Sequence, residues 1–157
     1  MEKTERVPLT TSERAAWIAA VLTPLTVLGY LAVVVPQLTS GPVSAIGWQG
    51  AMLWAIGINF VGTIVVTILA TVVAGIGAGL RHEELDTASD ERDRDIDRYG
   101  GRVALGVAAA GLLAALVLAM LELEPFWIGN AVFLIGAVGA TAGAIAQLRT
   151  YRGVFRG

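Results

Sequence analysis

The chain has 157 residues, of which 55% are apolar and only 15% charged, and its mean hydropathy is +0.70. Soluble domains are about 45–50% apolar and about 25% charged, so this composition is typical of a protein embedded in a membrane. The absence of cysteine excludes disulfides, thiolate metal sites and cysteine nucleophiles. The net charge of −2 argues against a nucleic-acid-binding surface, which requires a basic face.

The first apolar run, residues 15–35, is predicted to be a retained transmembrane helix. Its 21 residues exceed the apolar region of a secretory signal peptide, which is about 7–15 residues long. Thr11 or Ser12 is the expected N-cap. Pro24 is expected to kink the helix and Pro36 to end it. Because this span is rich in leucine and valine, we expect it to face lipid.

The second span, residues 51–79, contains small or weakly polar residues at every fourth position. Residues four apart lie on neighbouring turns of a helix, so the row forms one slowly rotating stripe. One interpretation is close packing against other helices. The alternative is a polar track that lines a path through the membrane. The row consists of Asn59, Thr63, Thr67, Thr71, Gly75 and Gly79.

A charged segment, residues 81–102, follows the second span and holds eight acids and five arginines. Acidic residues after Ser89 are typical of a first helical turn, so we expect the third helix to begin near Asp90 as a charged stalk. Ile96, Tyr99 and Val103 should share one face of it. The segment is either a solvated helix start or a docking surface for a partner, whose residues would be Asp90, Glu91, Arg92, Asp93, Arg94, Arg98 and Arg102.

The C-terminal tail carries three arginines, at positions 149, 152 and 156, and the charged segment has a net charge of −3. We therefore expect the two to face each other and form a layer of ion pairs.

The third and fourth spans, residues 103–121 and 126–146, are joined by a tight turn containing Glu122 and Glu124. Both spans carry glycine and alanine at four-residue spacing, which favours close helix contacts. No Asp, Glu, Lys, Arg or His lies inside any of the four spans. The sequence therefore offers no intramembrane proton relay and no catalytic acid or base.

All eleven Lys and Arg residues lie before the first span, between the second and third, or after the fourth. Basic residues of short loops favour the cytoplasmic side of a membrane. The pattern predicts four transmembrane helices arranged as two hairpins in a cell membrane, with both termini and residues 81–102 in the cytoplasm.

The sequence Asp90-Glu91-Arg92-Asp93, followed by Ile96 and by Arg102, resembles a group of small prokaryotic membrane proteins of unknown function. Members of that group have four predicted helices and an Asp-Glu-Arg-Asp motif before the third. The resemblance implies a fold category but no activity.

The expectation is therefore an all-α, polytopic membrane protein forming a single membrane domain over residues 1–157. We expect it to have no enzymatic activity, cofactor or metal, to contact the lipid bilayer and to bind no nucleic acid. Its partner would be a second copy or another membrane protein, so that it acts as a homo-oligomer or as an accessory or regulatory subunit. The alternative is a small oligomeric channel or carrier with a path lined by Asn59 and the threonines.

Overall fold

The computed structural model describes residues 9–81 and 91–153, and the side-chain surroundings of residues 9–77 and 91–153. Within those ranges the protein is all-helical, without a strand. Four of its helices are long and apolar enough to cross a membrane. In chain order the elements are α1 (Thr11–Leu38), a short 3-10 helix (Val43–Ala45), α2 (Trp48–Arg81), α3 (Glu91–Met120) and α4 (Pro125–Gly153).

The helices pack in the order α2–α1–α4–α3, with each helix antiparallel to its neighbour. We call the end where α1 and α3 begin the charged end, and the end where the two hairpins turn the turn end. The first span was predicted to face lipid, and Leu25 and Leu28 are indeed exposed, but α1 also lies between α2 and α4. Its Tyr30 and Val34 are among the most buried side chains that the structure describes.

Both ends of α1 differ from the sequence prediction. Thr10 is the N-cap, and its Oγ1 accepts a hydrogen bond from the Glu13 amide at 3.2 Å. The helix continues through Pro36 to Leu38. The hydroxyls of Thr39 and Ser40 donate to the Pro36 carbonyl at 2.9 and 3.0 Å, which satisfies a group that the end of the helix would leave unpaired.

An aromatic core closes the turn end. It joins both hairpins, because it contains Tyr30 of α1, Met52 of α2 and Phe126 of α4. The Trp48 ring meets the edge of Phe126 with ring centroids 6.1 Å apart. The α3–α4 turn is tight, as predicted, and Glu122 adopts the left-handed backbone conformation with φ of 54°.

Glycines of α4 let its backbone approach α3 closely. A Cβ at Gly139 would lie 2.8 Å from the Ala104 carbonyl oxygen, and one at Gly143 would lie 2.7 Å from the Gly100 carbonyl oxygen. Real Cβ atoms do not come this close to backbone atoms, so only glycine fits at either position. The prediction that small residues of these two spans make close helix contacts is confirmed at these positions, where the two spans contact each other.

The stalk of α3 begins at Glu91, beside the predicted Asp90, which lies outside the described residues. Its buried side is formed by Asp93, Ile96 and Gly100. Tyr99, predicted to share the face of Ile96, is 50% exposed. Gly100 takes its place because the stalk meets the Gln147 side chain of α4 there, which would have to shift if Gly100 carried a Cβ.

Candidate functional site

Asn59, the first residue of the predicted row, bonds to a neighbouring helix. Its Nδ2 donates to Thr23 Oγ1 at 3.2 Å and to Thr26 Oγ1 at 3.0 Å. The Thr26 hydroxyl lies within hydrogen-bond distance of the Leu22 and Thr23 carbonyls, at 3.1 and 2.9 Å. These contacts form a half-buried polar cluster between α1 and α2, beside Pro24. Interhelical hydrogen bonds of this kind stabilise helix pairs in membranes.

The threonines of the row turn back onto α2 itself. Thr63 Oγ1 donates to the Asn59 carbonyl at 2.7 Å, and Thr71 Oγ1 donates to the Thr67 carbonyl at 2.9 Å. Thr67 and Gly75 are half-buried, and Gly79 lies in α2 beyond the residues whose surroundings the structure describes. Hydroxyls bonded to their own helix have less capacity to solvate a passing polar molecule, so these contacts favour packing over a path.

A laterally open groove of about 710 Å³ lies between α1 and α2 on the turn-end side of this cluster. Small residues such as Gly29 and Ala51 create the space, and Tyr30 and Trp54 form part of its wall. Thr26 of the polar cluster also lines it, whereas the remaining lining is mainly apolar. Asn59 and the threonines of the row are not among its lining residues.

The charged end is held together by hydrogen bonds that join three helices. Asp93 of the stalk is only 6% exposed, and its Oδ1 accepts from the Tyr151 hydroxyl of α4 at 3.0 Å. Asp97, one turn further along α3, accepts from the Ser12 hydroxyl of α1 at 3.3 Å. The stalk is thereby fixed to the start of α1 and to the end of α4.

The electrostatics of this layer favour the protonated forms of two groups that lie beyond the apolar spans 15–35 and 126–146. Burial, followed by the hydrogen bond to Asp93, raises the pKa of Tyr151 to about 12. Burial also raises the pKa of Glu13, while the Arg152 charge lowers it and the Asp93 charge raises it further. Tyr151 is therefore a neutral donor across the physiological pH range.

Three described arginines of the charged end make contacts other than the expected ion pairs between tail and stalk. Arg152 lies over the Trp17 ring at 5.1 Å, which joins α4 to α1 by a cation–π contact. Arg14 donates to the Ala70 carbonyl of α2 at 3.4 Å. Arg98 pairs with Asp95 on its own helix at 3.4 Å, and both side chains are exposed, so this pair contributes about 0–1 kcal/mol.

The outer surface of the stalk is strongly charged. Asp93 is turned inwards, whereas the other described members of the predicted docking set are exposed. They are Glu91, Arg92, Arg94, Arg98 and Arg102.

A buried hydrogen bond between the two hairpins was not predicted from the sequence. The Tyr30 hydroxyl donates to Asn130 Oδ1 at 2.7 Å, and Asn130 Nδ2 donates to the Phe126 carbonyl at 2.8 Å. The Tyr30 ring also meets the edge of Phe133, with centroids 5.0 Å apart. The only available signal was a lone asparagine in an apolar span, a residue that needs a partner when it is buried.

No match to this chain was found among protein-family models, curated proteins or solved structures.

Proposed function

We propose that this chain is an integral membrane protein of a cell membrane, with both termini and residues 81–102 in the cytoplasm. Of its eleven basic residues, the eight within the described ranges all belong to the charged end. Basic residues are retained on the cytoplasmic side, which supports this orientation.

We further propose that it acts without enzymatic activity, through contacts with a second copy or with another membrane protein. One observation carries this proposal. Among the described residues, no buried side-chain nitrogen or oxygen lacks a hydrogen-bond partner. Catalytic and transport sites need polar groups that are available to a substrate. Here the polar groups of the helix interiors bond either to a neighbouring helix, as Asn59 and Asn130 do, or to the backbone of their own helix, as Thr63 does.

The surfaces left for recognition are the exposed, mixed-charge face of the stalk and the outer faces of α2 and α3. The stalk face is polar and exposed, and it belongs to a helix that is held in place by the hydrogen bonds of Asp93 and Asp97. A helix held in this way presents its exposed arginines and acids in a defined geometry, which lowers the entropy cost of docking.

The experiment is purification of the full chain from its native membrane, with measurement of the mass of the complex and of solute flux in liposomes. We expect a complex larger than one chain, formed by further copies or with a second protein, and no flux above that of empty liposomes. A monomer that co-purifies with nothing would contradict the proposal.

The second candidate is a channel or carrier formed by oligomers, with Asn59, Thr63, Thr67 and Thr71 along its path. The hydrogen bonds of Asn59 with Thr23 and Thr26 favour it, since they place a half-buried polar cluster between α1 and α2 within the apolar spans. Flux that is present in the unmodified chain and abolished by Thr67→Val, but not by the control Ile68→Val at an exposed position, would support this candidate.

A further inference from the structure

We propose that the groove between α1 and α2 binds the hydrocarbon chain of a lipid from the membrane leaflet at the turn end. This inference goes beyond the proposed function, from which it takes only the insertion of the helices in a membrane. It assigns a class of ligand to the groove and the leaflet from which that ligand comes.

The lining of the groove offers no free hydroxyl to a ligand. Two of its residues carry hydroxyls, Thr26 and Tyr30. Thr26 Oγ1 accepts from Asn59 at 3.0 Å and lies within hydrogen-bond distance of carbonyls of its own helix. The Tyr30 hydroxyl donates to Asn130 at 2.7 Å. A polar ligand would find neither hydroxyl available, whereas a hydrocarbon chain needs no such partner, so the lining favours an apolar ligand.

The floor of the groove belongs to the core of the protein. Tyr30 and Ala55 are only 2% and 6% exposed, and both are part of the aromatic core at the turn end. The Tyr30 ring also meets the edge of Phe133. The small side of the lining, which includes Gly29 and Ala51, leaves the hollow above this floor. A chain in the hollow is contacted on more than one side, so it gains more dispersion contacts than a chain on a convex helix face does.

The groove is too narrow for a transmembrane helix. Its lining extends along α1 from Leu22 to Val33, which is eleven residues, or about 16 Å at 1.5 Å per residue. A volume of about 710 Å³ over that length corresponds to a mean cross-section of about 45 Å². A helix with its side chains is about 10–12 Å wide, which corresponds to about 80–110 Å². A hydrocarbon chain can therefore lie within the groove, whereas a helix of a second copy could insert only side chains.

The groove spans one leaflet of the membrane. Arg14 contacts the Ala70 carbonyl, so these two residues mark one level at the charged end. Leu22 is eight residues, or about 12 Å, from that level, and Val33 and Ala51 are each nineteen residues, or about 28 Å, from it. The hydrocarbon core of a bilayer is about 30 Å thick, so the groove runs from near its middle to its turn-end surface. A lipid of that leaflet can place its chain along the groove with its headgroup at the turn end.

The test uses the full chain in phosphatidylcholine vesicles. Residues 36–50, which connect α1 to α2, contain no charged residue, so a headgroup without net charge is a suitable probe. A small fraction of the phosphatidylcholine carries a photoactivatable diazirine in one acyl chain, either near the ester or near the methyl end. Illumination attaches this probe to the residues that it contacts, and mass spectrometry of peptides locates the adducts.

Two leucines allow a comparison within the unmodified chain. Leu22 lines the groove, whereas Leu113 is 65% exposed on the turn-end half of α3. Because the two side chains are identical, a difference in labelling reports the surroundings. With the diazirine near the methyl end, we expect several-fold more adducts at Leu22 than at Leu113. With the diazirine near the ester, the adducts in the groove should move towards Val33.

Gly29→Leu fills the groove, and Gly57→Leu is its matched control. A Cβ at either glycine meets nothing within 4 Å, and Gly57 is not among the residues that line the groove. Both variants should therefore fold, which thermal unfolding in detergent checks. We expect Gly29→Leu to lower the labelling of Leu22 to that of Leu113, and Gly57→Leu to leave it unchanged.

Three results would overturn the lipid site. They are equal labelling of Leu22 and Leu113 in the unmodified chain, labelling of Leu22 that persists in Gly29→Leu, and a reversed order of the two probes along the groove. None of them bears on a protein partner, which the mass of the native complex reports. Conversely, a monomer without a partner whose groove is labelled would contradict the proposed function and leave the lipid site intact.

Discussion

At the scale of single residues, the buried carboxylate of Asp93 is the most consequential feature of the charged end. A carboxylate removed from water is costly unless it is hydrogen-bonded, and Tyr151 supplies such a bond at 3.0 Å. A donor that faces an ionised acceptor forms a stronger bond than a neutral pair does. This contact therefore contributes more to fixing the stalk than the exposed Arg98–Asp95 pair does.

We expect Tyr151→Phe to destabilise the protein by about 1.5–3 kcal/mol, the range for hydrogen bonds to charged groups. The ring is retained, so the change isolates the hydroxyl. The measurement is the free energy of unfolding in detergent, taken from denaturant titration. Tyr99→Phe is the matched control, because Tyr99 lies half exposed on the stalk of α3. This variant should reduce the free energy of unfolding by less than about 0.5 kcal/mol.

A double-mutant cycle with Asp93→Ala makes the assignment to this pair specific. If the two residues interact, the double variant should lose less stability than the sum of the single variants. Strict additivity would show that Tyr151 stabilises the charged end by another route.

The polar contacts show how far single positions can be read from sequence. Asn59 stood out because it is the first residue of a regular row. Its partners Thr23 and Thr26 lie in another helix, and no sequence spacing links them to Asn59. Tyr30 and Asn130 are 100 positions apart and also escaped prediction. Periodicity reports the face of one helix, whereas a hydrogen bond between helices depends on their relative rotation and height.

At the scale of elements, all four helices were predicted, but both ends of α1 and the C-terminal end of α4 were not. The apolar spans were predicted as residues 15–35, 51–79, 103–121 and 126–146, whereas α1 runs from Thr11 to Leu38 and α4 from Pro125 to Gly153. Hydropathy marks the stretch that crosses the membrane, while hydrogen bonding decides where a helix stops. The polar turns of α1 and α4 beyond these spans therefore lay outside what hydropathy reports.

The α3–α4 interface offers a direct test of its glycines. We expect Gly139→Leu to separate the two helices, because its Cβ alone would lie 2.8 Å from the Ala104 carbonyl. Overpacking typically costs about 1–3 kcal/mol, and we expect a loss of stability near the upper end of that range. The measurement is thermal unfolding of the full chain in detergent.

Gly136→Leu is the matched control on the same helix, since a Cβ at Gly136 meets nothing within 4 Å. Both variants replace glycine with a good helix former, so the gain in helix propensity cancels between them. Equal melting temperatures for the two variants would contradict the close approach of α3 and α4 at Gly139.

At the scale of the whole molecule, the order of the helices could not be predicted from composition. We expected the leucine- and valine-rich first span to face lipid, yet it lies between α2 and α4. Lipid chains are as apolar as leucine, so apolar side chains have no preference for lipid over the protein interior. The position of α1 is instead defined by specific contacts, including Tyr30 with Asn130 and Asn59 with Thr26.

The orientation of the molecule in a membrane is the prediction that belongs to this scale. Gly41 lies in the connection between α1 and α2 at the turn end, and Ala88 lies in the connection between α2 and α3, outside the described residues. We expect reporter fusions at Gly41 to be active outside the cytoplasm and fusions at Ala88 to be active inside it.

The physical reason is the eleven basic residues, none of which lies in the connections at the turn end. Replacing Gly41 and Gln49 by arginine should weaken the bias without altering the helices, since both changes fall at or near the turn. A larger fraction of the reporter fused at Gly41 should then be found in the cytoplasm. Such a rise would show that the basic residues, and not hydropathy alone, determine the orientation. Reporters at Gly41 and Ala88 on the same side of the membrane would contradict the four-span topology itself.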